Sequence, residues 1–70
     1  MWTRIQESEL VIRQSSLPAR VVIERNTLPT EYRTYLELIQ RDGEATFTHG
    51  RIFDDISKAQ EDFERRKWRL

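Results

Sequence analysis

The sequence predicts an α+β fold: a four-stranded antiparallel meander with one C-terminal helix packed on one face, ββββα. Three observations carry this. Apolar residues fall in short, largely β-branched blocks, and all four Pro and Gly residues stand at the breaks between segments. Asp42-Gly43 between two of these segments is a strong hairpin signal. The last block switches to a helical period with a charge order that suits a helix. The expected strands cover residues 3–14, 19–25, 31–41 and 44–53, and the helix 54–68, in one domain over residues 1–70.

The first strand centres on Leu10-Val11-Ile12, with imperfect alternation. The second is clearer: Val21 and Ile23 share one face, and Arg20, Val22 and Glu24 the other. The third segment reads two ways. As a helix over 30–42 it aligns Tyr32, Tyr35, Leu36 and Ile39, giving ββαβα with Gly43 as its C′ residue. As a strand it leads into a two-residue Asp42-Gly43 turn, which sets Leu38 opposite Phe47 and Gln40 opposite Ala45. The hairpin is the favoured reading. In the helix, Asp54 or Asp55 is the cap and Ser57-x-x-Gln60 a capping box. Its apolar stripe is Ile52, Ile56, Ala59, Phe63 and Leu70, with Trp68 off the stripe.

Twelve basic side chains balance twelve acidic ones, with one His and no Cys. The zero net charge speaks against a general duplex binder. Without Cys there is no disulfide or cysteine–metal staple, and a chain of roughly 60 residues buries only about 60% of its unfolded surface. No apolar run is long enough for a membrane span or a signal peptide, so a cytoplasmic protein is expected.

Catalysis finds little support. His49 lies beside Gly50 in an expected turn, and a Ser57–His49–Asp54 arrangement would draw on residues better placed as helix caps. Asp54-Asp55 and Glu61-Asp62 are adjacent on a helix and diverge by about 100°. No metal-ligand spacing and no phosphate-cradling Gly loop is present. The expectation is a non-enzyme with no cofactor, no metal and no small-molecule substrate.

Two surfaces remain as candidates. Only Lys58 and Lys67 of the twelve basic residues are Lys; the rest are Arg, the residue for planar recognition of anions. Arg65, Arg66, Lys67, Trp68 and Arg69 form the densest basic cluster, with an aromatic inside it. Helix-dipole complementarity accounts for basic charge there, though not for so much of it. On the expected outer face of the hairpin, Arg33, Tyr35, Ile39 and Arg41 stand together, beside Glu37 and Glu44. These residues suit a homodimer or docking contact with a larger protein. Alternatively, the sheet face and the basic cluster suit a single-stranded nucleic acid. The inferred order of four strands and a helix resembles that of the Whirly and PUR single-stranded-DNA-binding modules. That likeness implies a dimer with a basic sheet face.

Overall fold

A computed structural model describes residues 1–70. The expected ββββα order is present: β1 (Trp2–Glu7), β2 (Ala19–Thr27), β3 (Thr30–Ile39), β4 (Ala45–Phe53) and α1 (Ile56–Trp68). The strands form one antiparallel sheet in the order β1-β2-β3-β4. Residues 30–42 are therefore not helical. Val21 pairs with Leu36 and Ile23 with Thr34 in an unbroken β2–β3 register, so tertiary pairing overrides the helical stripe.

The helix covers one face of the sheet. Val21 and Ile23 from β2 meet Ala59 and Phe63 from α1, with Tyr32, Leu36, Phe53 and Leu70 packed around them. Val21 and Ile23 are fully buried, each worth roughly 1.5–3 kcal/mol of transfer energy. Asp55 caps the helix by accepting the Ser57 N–H at 2.7 Å. Ser57 lies inside α1, so no capping box forms there. Ile52 belongs to β4 and is largely exposed, not part of the helical stripe.

The first strand is shorter than expected. A bulge at Ile5 breaks the β1–β2 register, and the strand stops at Glu7. Ser8 finishes the edge by bonding both backbone groups of Val21: its N–H donates to the carbonyl, and its hydroxyl accepts the Val21 N–H. Beyond it Val11 bridges Ala19, and the Pro18 carbonyl accepts the Ile39 N–H at 3.0 Å. The physical reason is the poor alternation: Leu10 and Ile12 have no face to bury and stay exposed.

The β3–β4 hairpin differs from expectation by one residue. Gln40 N–H bonds the Glu44 carbonyl, and Gly43 N–H bonds the Gln40 carbonyl. The loop is thus three residues, Arg41 to Gly43, with Gly43 at φ 89° in the left-handed region. Leu38 then faces Thr46, and Phe47 faces Glu37. That slip turns Phe47 away from the helix and onto the open face, edge-to-face with Tyr35 at 5.0 Å between ring centres.

The open face carries ion pairs over an apolar centre. Val22, fully buried, sits opposite Glu7 and Tyr35. Arg4 bonds Glu37 at 2.7 Å and Glu7 at 2.8 Å, and Arg20 pairs with the same two acids. Arg33 pairs with Glu24.

Candidate anion-binding cleft

A second bulge decides what the helix side of β4 presents. Leu36 faces Thr48 and Thr34 faces Arg51, so His49 and Gly50 together oppose Tyr35. Strict alternation from Thr48 would send Arg51 to the open face. The extra residue returns it, and Phe53 with it, to the helix face. His49 pays for the bend with φ 59°, a left-handed value uncommon outside glycine.

The C-terminal half of α1 supplies the opposite wall. Asp62, Arg65, Arg66 and Arg69 are spaced i, i+3, i+4 and i+7, one face of a helix. Arg13 supplies a third side. Its guanidinium is tied to its own loop by two bonds to the Leu17 carbonyl, at 3.0 and 2.8 Å. Between these walls lies a cavity of about 390 Å³. Leu36 and Leu70, packed on the core, form its inner side.

Five arginines therefore meet one acid: Arg13, Arg51, Arg65, Arg66 and Arg69 against Asp62, with His49 at the rim. Asp62 is buried. It accepts the Thr34 hydroxyl and the Arg66 Nε at 2.7 Å, with Arg65 at 3.4 Å and Arg51 at 3.7 Å. Burial alone raises its carboxyl pKa. The Thr34 hydroxyl outweighs this together with Arg66 and Arg51, and the group lies below its usual range. Arg66 is half-buried and consumed by this bond. Arg51 and Arg65 remain more than half exposed, and Arg69 is exposed with no acidic partner.

The residues singled out from sequence are split between opposite faces. Arg33 and Tyr35 lie on the open face, away from the cleft. The Arg33 guanidinium lies 4.3 Å from the Trp2 ring centre and bonds Glu24. Tyr35 is buried, not an exposed stacking ring; its hydroxyl donates to Glu24 at 3.0 Å and accepts from Arg4 at 3.3 Å. Burial pushes that hydroxyl's pKa up, with Arg4 opposing and Glu24 reinforcing. Ile39 ends β3, and Arg41 is exposed in the turn. Arg65, Arg66 and Arg69 do converge on the cleft. Lys67 turns aside to Glu64 at 3.2 Å, and Trp68 stands 84% exposed in solvent.

Sequence reasoning missed Arg13, Arg51 and Asp62. One signal for Arg51 was present: apolar residues at 47, 52 and 53 cannot all obey one alternation, and His49-Gly50 lies between them.

No group of three or more His, Cys, Asp or Glu stands where it could hold a metal ion, and no helix is long and apolar enough to cross a membrane. No known protein family, curated protein or solved structure matches this chain.

Proposed function

We propose that this chain is a non-enzymatic interaction module whose working surface is the arginine cleft, and whose partner presents a multiply charged anion there. One observation carries the reading: five guanidiniums from a loop, a strand and a helix gather on one cavity with a single side-chain carboxylate. Like charges brought together repel, and an anion relieves that repulsion. Helix-dipole complementarity accounts for basic residues at the end of α1 but not for Arg13 or Arg51. Asp62, held by Thr34 and Arg66, serves as the anchor of the cleft rather than as a free base.

The test is calorimetric titration of the full chain with inorganic polyphosphate at low ionic strength. Saturable binding that weakens steeply with added salt supports the reading. No heat and no salt-sensitive binding would sink it.

A second reading, self-association, rests on a different observation. β4 is an edge strand, and Phe47 and Ile52 are 64% and 59% exposed along it. Sedimentation equilibrium tests it: a monomer at millimolar concentration removes the homodimer.

A further inference from the structure

We infer that the anion held in the cleft is the sugar–phosphate backbone of a single-stranded nucleic acid, and that Trp68 is the platform on which one of its bases stacks. This rests on the cleft being an anion site and names the partner that fits it.

The placement of Trp68 carries the inference. At about 100° per residue, Trp68 points roughly opposite to the Ala59–Phe63 stripe that packs on the sheet. Its indole is 84% exposed and contributes nothing to the core. Arg65 and Arg69 lie between it and the Asp62 side of the helix. Arg65 is its i−3 neighbour, about 5–6 Å away between Cβ atoms. A chain whose phosphates bond the exposed guanidiniums of Arg51, Arg65 and Arg69 thus passes beside a bare aromatic ring. Of the two acids on that side, Glu64 is paired with Lys67, while Glu61, one turn before Arg65, has no ion pair.

The alternation of guanidinium and indole fits a ligand that alternates phosphate and planar base. A duplex fits less well. Its bases already stack on one another, and its rigid backbone asks for an extended basic surface. Here the second face of the sheet has Arg4, Arg20 and Arg33 tied to Glu7, Glu37 and Glu24. Among the basic side chains without a full acidic partner, Arg51, Arg65 and Arg69 gather at the cleft, while Arg25 and Arg41 lie outside it.

The experiment uses the full chain carrying Trp2→Phe, so that Trp68 is the one remaining indole. Its fluorescence and binding are followed with four probes at low ionic strength: an oligothymidylate, an abasic strand of equal length, a duplex of equal length, and polyphosphate. The expected result is quenching by oligothymidylate and an affinity about tenfold above that for the abasic strand. Trp68→Ala, at an exposed position, then lowers oligothymidylate to the abasic level. Equal affinity for the two strands, or tighter binding of duplex, overturns the inference. If polyphosphate and both strands bind alike, the cleft remains an anion site and only the nucleic-acid assignment falls. If nothing binds, both fall.

Discussion

Arg51 reaches across the cleft to Asp62 at 3.7 Å because the bulge at His49-Gly50 turns it to the helix side of the sheet. The strand thereby delivers a charge to a helix that already carries several. Asp62 is the point where three elements meet: Thr34 from β3, Arg51 from β4, and Arg65 and Arg66 from its own helix.

Asp62→Asn removes that anchor and leaves the half-buried Arg66 without its counter-charge. The expected loss of stability is about 3 kcal/mol, read from urea denaturation. Thr34→Val, which removes a single hydroxyl, is expected to cost about 1 kcal/mol. Equal small effects from both would show that Asp62 anchors nothing.

Stability should also depend on acid through Asp62. Its carboxyl titrates lower in the folded chain than in the unfolded one. The unfolded chain therefore takes up the proton first as pH falls. The contribution of Asp62 is complete above the ordinary carboxylate range and is lost as pH drops from that range through its lowered value. Glu7, lowered chiefly by its bond to Arg4, titrates in the same direction. The difference in stability between wild type and Asp62→Asn, followed from pH 6 downwards by thermal melting, should shrink with acid.

Binding should separate the two populations of arginine. Arg51→Gln and Arg69→Gln each weaken polyphosphate binding and reduce the salt dependence by about one unit of slope. Arg33→Gln, on the opposite face and paired with Glu24, leaves both unchanged. Titrations at several salt concentrations decide this, and an equal effect of Arg33→Gln removes the cleft from consideration.

Gly43→Ala tests the three-residue hairpin loop. Gly43 sits at φ 89° with open space around it, so the cost is conformational and not steric crowding by neighbours. A loss of about 1–2 kcal/mol is expected from thermal melts. A neutral result would mean that the loop does not need its left-handed residue.

The succession of four strands and a helix along the chain was legible because its signals are local. Val21-Val22-Ile23, the Pro29 and Gly43 breaks, and the Ala59–Phe63 period each speak within a few residues. Asp42-Gly43 marked the turn correctly but not its length, and one added loop residue sent Phe47 to the other face. The end of β1 was hidden because Leu10, Val11 and Ile12 look like a strand centre yet have no layer to cover them. The basic cluster at 65–69 was visible as a run. Its extension to Arg13 and Arg51 was not, because those residues meet it only through a bulge and a loop closed across the fold. Nor does the run reveal that Arg66 is tied to Asp62 while Arg69 is free of any acid.

The pairing of Arg4, Arg20 and Arg33 with acids on the open face has a kinetic consequence. A chain with no net charge exerts no overall pull on an anion from afar. What it has is sidedness: one face of the sheet is electrically quiet and the other is not. A polyanion meeting this protein gains little from long-range attraction and much from the direction of its approach. Salt should therefore act mainly on how long the complex lasts, and less on how often the two molecules meet.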